Sequence, residues 1–339
     1  MRGIICEQIG TFRYATDLPE PILGQDEAVI EIKRVGICGT DLHAYQGNQP
    51  FFEYPRILGH ELAGIVTKIS NQDQGILPGD QVTIVPYLHC NHCIACRSGR
   101  PNCCMQLQVL GVHVDGGLCE RIKVPISHLL KSEGLSLDHT AMIEPLAIGA
   151  HAVRRSGICE GTEVLVIGGG PIGLGVMTLA KEAGANVIAM DVNKERLDFC
   201  RSWAKVNHTI NAADEDLLEQ LSKLTAGALM PIVIDATGNI TSMTNAFNYT
   251  AHGGTLLYVG LVKGNITFND PEFHKRELTI MGSRNATRED FAHVIKTIST
   301  GRINLDQYIT HRASLEEMAN LFDEWLEPES KVIKAVVEL

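Results

Sequence analysis

The apolar run Glu163-Val164-Leu165-Val166-Ile167 passes straight into Gly168-Gly169-Gly170-Pro171-Ile172-Gly173, and no other feature restricts the fold as much. A short apolar run of this kind is expected as a strand buried on both faces of a sheet. The turn after it satisfies G-x-G-x-x-G, and the next residues predict a helix over 171–183. In that setting Gly168 allows the tight turn, Gly170 lets the backbone approach a pyrophosphate, and Gly173 lets helix and strand pack closely. The helix opened by Pro171 and Ile172 offers its free N–H groups to the anion. A Gly-rich turn with no ligand is the plainer alternative, and the strand-turn-helix context weighs against it. A second strand is expected over 186–191, and its last residue, Asp191, stands eighteen residues past Gly173. A carboxylate there accepts hydrogen bonds from both ribose hydroxyls and repels a 2'-phosphate, so NAD is expected rather than NADP. Arg196 either contacts the adenosine ribose or is an ordinary helix-surface cation.

The alternation continues with a helix over 194–204, strands at 231–235, 255–260 and 278–282, and a helix over 288–301. That pattern predicts a parallel, doubly wound sheet. Before Pro145 the texture differs: apolar and charged residues alternate over 28–35, and 62–69 and 81–86 are β-rich between Gly and Pro punctuation. The last residues, 331–339, alternate again, like a strand that rejoins the first domain. Two domains are expected, a discontinuous β-rich one over 1–147 and 287–339 and an α/β one over 148–286. The 339 residues, 45% hydrophobic and 20% charged, are too many for one ordinary core and too apolar for disorder.

With 29 Lys+Arg against 40 Asp+Glu the net charge is -11, which argues against a nucleic-acid partner. No stretch approaches the roughly 20 apolar residues a bilayer needs, so no membrane role is expected. The N-terminus Met1-Arg2-Gly3-Ile4-Ile5-Cys6-Glu7 has no export pattern, and a cytoplasmic protein is expected.

Five of the ten cysteines fall between Cys90 and Cys104, a density better explained by metal-holding thiolates than by disulfides in a chain of this kind. Cys90-x2-Cys93-x2-Cys96-x7-Cys104 lets one small lobe enclose a tetrahedral ion, and four thiolates leave no open position, so the role expected is structural Zn(II). An iron–sulfur centre and unligated buried cysteines are the alternatives, and Cys103 competes with Cys104 as the fourth ligand.

A second metal set is weaker piece by piece. Gly36-Ile37-Cys38-Gly39-Thr40-Asp41-Leu42-His43 reads as a strand end followed by a polar turn, and Gly59-His60-Glu61 follows after another loop. Glu144 sits in the apolar stretch Ala141-Met142-Ile143-Glu144-Pro145-Leu146-Ala147-Ile148, where a buried carboxylate needs a partner. Cys38, His60 and one carboxylate make three ligands with a vacancy, the arrangement of catalytic rather than structural zinc. With a neutral imidazole such a site is close to electroneutral.

These motifs together, with Asp235-Ala236-Thr237-Gly238, make the sequence resemble the zinc-dependent medium-chain dehydrogenase/reductase superfamily over essentially its whole length. Because Glu61 follows His60 and Glu144 stands in a Glu-Pro pair, it looks most like the sorbitol, threonine and sugar-acid dehydrogenases. The resemblance implies a Rossmann domain for NAD and a GroES-like catalytic domain with a structural-zinc lobe. It also implies that Cys38, His60 and either Glu61 or Glu144 hold a catalytic zinc, the other Glu touching metal-bound water. Thr40 and His43 then match the positions that pass the alcohol proton to solvent, although by residue type alone they are a turn hydroxyl and a loop histidine. Thr237 and Gly238, Val259-Gly260-Leu261 and Ser283-Arg284 are implied to line the cofactor cleft.

The implied reaction is oxidation of a secondary alcohol by hydride transfer to NAD, with two Zn(II) per chain. Arg121 and Arg284 are expected to bind a substrate carboxylate, or else to be surface ion pairs. A hexonate such as L-gulonate or L-galactonate, oxidised at C5, is favoured, since Gly47-Asn48-Gln49-Pro50-Phe51-Phe52 and Pro271-Glu272-Phe273-His274-Lys275 look similar to that branch. Other substrates within the class are a sorbitol-like polyol or L-threonine. Rivals from other classes are an NADH-binding sensor without turnover and a zinc-lobe interaction module. The resemblance suggests a homodimer or homotetramer.

Overall fold

The computed structural model describes residues 1–49, 52–71 and 75–339, so Pro50 and Phe51 of the Gly-Asn-Gln-Pro-Phe-Phe stretch lie outside the described residues. The chain forms two compact units, Met1–Ala147 with Ala286–Leu339, and Ile148–Asn285.

In the second unit six strands form one sheet in the order His208–Asn211, Asn186–Asp191, Glu163–Ile167, Met230–Asp235, Thr250–Tyr258, Thr279–Gly282. Every neighbouring pair is parallel. The apolar run predicted as doubly covered is the central strand, and Val164, Leu165 and Val166 are fully buried. Chain order reverses between this strand and Met230–Asp235, which makes their C-terminal ends a topological switch point. The strand His208–Asn211 and the helix Leu217–Leu224 were not expected from the sequence. The strand is short and carries His208 and Asn211 at its ends, so it lacks the apolar run of the others, and its one fully buried residue is Ile210.

The first unit is built on a seven-stranded sheet. Its central element, Glu27–Ile37, is long enough to serve different partners along its length. Its first half pairs with Arg121–Pro125, its second half with Ala335–Glu338, and Glu61–Ile69 runs antiparallel along the whole of it. The C-terminal strand therefore does rejoin this unit. Residues from both ends of the chain, among them Ile30, Ile32, Leu62, Val66, Phe322 and Val337, share one core. The helix Leu315–Leu326, unmarked by any motif, lays Leu315, Met318, Phe322 and Trp325 against it.

One local expectation is corrected. The residues after Cys38 form the helix Gly39–Tyr45 rather than a polar turn. Asp41, three residues into the element, accepts the Cys38 backbone N–H at 2.9 Å and so caps the helix start.

Candidate active site and cofactor cradle

Strand register assembles the first site. Gly36 lies opposite Glu61, and Ala335 lies opposite Ile37, so Cys38, Glu61 and Lys334 converge at one end of the sheet. Gly36 makes room for this, because a Cβ there would fall 2.0 Å from Glu61 Oε2. Cys38, His60 and Glu61 each place a ligand atom within 4.8 Å of the others. Glu144, in the first turn of the helix Ile143–Ser156, is outside that set but close enough to affect His60 electrostatically. His60, Glu61 and Glu144 are all nearly or fully buried.

Three buried polar atoms here have no hydrogen-bond partner: His60 Nδ1, Glu61 Oε2 and Glu144 Oε2. Orphaned buried donors and acceptors are expensive, and several in one spot mark a site made for something else. A thiolate, an imidazole and a carboxylate are borderline-soft donors suited to zinc, so the residues fit the ion. The Oε1 atoms of the two glutamates are already held. Tyr87, itself buried, donates its phenol to Glu144 Oε1, and Lys334 donates its ammonium to Glu61 Oε1. Asp41 Oδ1 faces the His60 ring at 3.8 Å and accepts Gly59 N–H at 3.3 Å. Burial alone would lower the His60 pKa, but the Asp41 and Cys38 charges outweigh it and raise it well above the usual imidazole value. Burial pushes the Glu144 carboxyl up to about 7, against the opposing pull of His60.

Thr40 and His43 stand three residues apart on the helix that begins after Cys38, the first half-buried and the second exposed. That spacing puts them on one helical face running outward from Cys38. Neither Asp41, Tyr87 nor Lys334 was singled out from the sequence. Tyr87 carried no usable signal. Nor did Lys334, which precedes the strand Ala335–Glu338, where Ala335, Val336 and Val337 are all buried and no alternation marks one side.

In the cysteine lobe the four sulfurs lie 3.5 Å (Cys93–Cys96 and Cys90–Cys104), 3.9 Å (Cys93–Cys104) and 4.0 Å (Cys90–Cys96) apart. Ligands about 2.3 Å from a tetrahedral zinc are roughly 3.8 Å from one another, so the lobe fits the ion as it stands. Backbone N–H groups, that of Met105 first, hold the Cys93 thiol down at about 6. Cys104 is buried in the set, and Cys103 is exposed outside it.

The second unit brings the glycine motif and its expected companions to the same strand ends. A Cβ on Gly168 would meet Thr237, one on Gly260 would lie 2.3 Å from Gly238 N, and Gly238 abuts the Leu261 carbonyl. Val259 N–H bonds Asp235 O at 2.9 Å, and Ser283 N–H bonds Tyr258 O at 2.8 Å. Gly170 is different, because a Cβ there would meet no protein atom within 4 Å. The chain's own packing does not require that glycine, which leaves open space above the start of the helix Pro171–Glu182. Asp191 accepts N–H groups from Gly169 at 2.6 Å and Asn193 at 2.8 Å, and an ionised carboxylate keeps lone pairs beyond those two. Arg196 lies beside Gly169 with its side chain exposed.

Arg121 and Arg284 are each candidates for a substrate carboxylate, with a surface ion pair as the alternative. Arg121 pairs with Glu20 at 2.8 Å on the protein surface. Its strand partner is Glu31, five residues along from Gly36, or about 16 Å of strand from the Glu61 register. This arrangement is the ion-pair alternative for Arg121. Arg284 is exposed in the second unit, just past the strand Thr279–Gly282.

Residues 24–134 match the alcohol dehydrogenase GroES-like domain, and residues 171–300 match the zinc-binding dehydrogenase family. The chain belongs to the zinc-type medium-chain dehydrogenases. It is 46% identical over 317 residues to L-galactonate-5-dehydrogenase of Escherichia coli strain K12, covering 94% of this chain and 93% of that one. It is 30% identical to L-idonate 5-dehydrogenase of Vitis vinifera, over 88% of this chain and 83% of that one. A solved structure, a short chain alcohol dehydrogenase of Escherichia coli CFT073 complexed with NADH, superposes with a TM-score of 0.92 at 28% identity, covering 100% and 99% of the two chains. No helix among the described residues is long and apolar enough to cross a membrane.

Proposed function

We propose that this dehydrogenase oxidises the C5 hydroxyl of a hexonate, L-galactonate or L-gulonate, with NAD as acceptor and two zinc ions per chain. The observation that carries it is the buried set of Cys38, His60 and Glu61 with its orphaned donor atoms, in a chain 46% identical to an L-galactonate-5-dehydrogenase. When bound, zinc supplies Lewis acidity toward the substrate hydroxyl, and NAD accepts the hydride. Cys38, His60 and Glu61 are the residues that hold the catalytic ion, while Asp41 steadies the His60 ring and Glu144 presents its free Oε2 from the side. Thr40 would accept the substrate hydroxyl's proton as its own hydroxyl proton passes toward His43, which would hand a proton to solvent. Gly168, Gly170 and Gly173 seat the pyrophosphate, Asp191 takes the adenosine ribose, and the Cys90, Cys93, Cys96 and Cys104 lobe holds the structural ion. The exposed edge strand Thr279–Gly282, with Ile280 37% exposed, is the place where a second copy would extend the sheet into a dimer.

Initial rates of NADH formation across aldonates, polyols and L-threonine test this reading. Turnover is expected with L-galactonate or L-gulonate at a kcat/KM at least tenfold above sorbitol and L-threonine; a better rate with either of the latter two would defeat the acid-substrate assignment. In the same screen Arg121→Ala is expected to stay within about twofold of the parent, because exposed ion pairs contribute little.

A further inference from the structure

Lys334 is 1% exposed, and it is the one buried Lys or Arg among the described residues of the first unit. Its position is fixed from both sides. The Lys334 carbonyl accepts the Thr310 and His311 N–H groups at 2.9 and 3.1 Å, and the strand beginning at Ala335 pairs with Ile37. Its ammonium reaches across to donate to Ile37 O at 3.0 Å and to Glu61 Oε1. Glu61, Cys38, Tyr308 and Glu144 are the ionisable groups that face it. A carboxylate as fully buried as Glu61 is unstable without a compensating charge, and a metal ion supplies one only while it is bound.

We infer that Lys334 is the resident counter-ion of the metal pocket: it fixes Glu61 through Oε1, leaves Oε2 for the metal, and keeps the pocket folded when the metal is away. This rests on the metal reading of Cys38, His60 and Glu61 given above. Lys334 is a positioning residue, acting through Glu61 and through Ile37, the neighbour of Cys38. Holding a strand carbonyl and the carboxylate with one ammonium ties both sides of the ligand set together, so the donors stay in place before an ion arrives.

The test is thermal unfolding of the full chain, stripped by chelation and reloaded with zinc, for the parent and Lys334→Met. The stripped variant is expected to melt about 10 °C below the stripped parent, the effect of breaking a buried pair in a unit of this size. Zinc is expected to recover most of that gap. An equal drop in both forms would mean that Lys334 only fills space, and would overturn the inference. If Lys334→Met does not accumulate as folded protein, the double variant Glu61→Gln with Lys334→Met decides. Removing both charges is expected to restore a folded stripped protein, whereas a double variant no better than the single would overturn the counter-ion role. If the parent itself takes up only the zinc of the cysteine lobe, the metal reading fails and this inference with it.

Discussion

Cys38→Ser is expected to lower kcat/KM by a factor on the order of a thousand or more, because Lewis-acid stabilisation of several kcal/mol disappears with the ion. Cys38 supplies the one thiolate of the set, and the other donors are an imidazole and a carboxylate whose remaining oxygen is engaged by Lys334. A serine hydroxyl at the same place stays protonated and reaches less far, so two good donors are left. Bound zinc should fall from two per chain to one, since the cysteine lobe shares no ligand with this site. NADH affinity, read by fluorescence titration, should stay within about twofold of the parent, because the glycine cradle belongs to the other unit. Turnover near the parental rate with one zinc per chain would refute the catalytic role of Cys38. An NADH-binding sensor, by contrast, would have no turnover to lose in the parent.

The sequence was most readable where one residue type has one physical use. The strand Glu163–Ile167 and its glycines were legible because a doubly covered strand cannot tolerate polar residues, and Gly173 cannot tolerate a side chain. The four cysteines were legible because their spacing alone allows a closed tetrahedral set. The strand His208–Asn211 was not, because an edge strand needs only one buried residue, here Ile210, and that makes no pattern. The helix Gly39–Tyr45 hid behind Gly39, Thr40 and Asp41, residues typical of turns. Asp41 acts here as a cap, and only the fold reveals which of its two habits applies.

At the site, motifs led to the atoms that touch a ligand and not to the atoms that hold those in place. His60 and Glu61 are adjacent in sequence, so one short motif carries both. Their supports come from far away: Lys334 lies 273 residues from Glu61, and Tyr87 lies 57 residues from Glu144. No local spacing encodes such pairs: the first is set by the register of Glu27–Ile37 with its neighbours, and the second joins the short strand Tyr87–Leu88 to the helix Ile143–Ser156. For Arg121 the sequence left a carboxylate ligand and a surface ion pair open, and only the strand pairing with Glu31 reveals Glu20 as its partner in the chain.

Gly173→Ala is expected to lower NADH affinity at least about a hundredfold while both zinc ions remain bound. The Cβ it adds would lie 1.8 Å from Gly168 O, far inside contact distance, and the atom it meets is backbone that cannot rotate away. Either the helix Pro171–Glu182 or the turn at Gly168 must move by more than 1 Å, as the gap to normal contact requires. Both carry the groups proposed to hold the pyrophosphate, and hydrogen bonds to an anion contribute about 1.5–3 kcal/mol each only when aligned. Overpacking of this kind also lowers stability by about 1–3 kcal/mol, so the melting temperature should fall by a few degrees. The central strand and helix face are otherwise filled by Leu165, Leu174 and Met177, all fully buried, so nothing beside the turn yields to relieve the clash. Zinc content separates this outcome from general misfolding, because both metal sets lie in the other unit. A variant that binds NADH as tightly as the parent would mean that the turn has slack the backbone distances deny, and would remove the glycine cradle from the cofactor assignment.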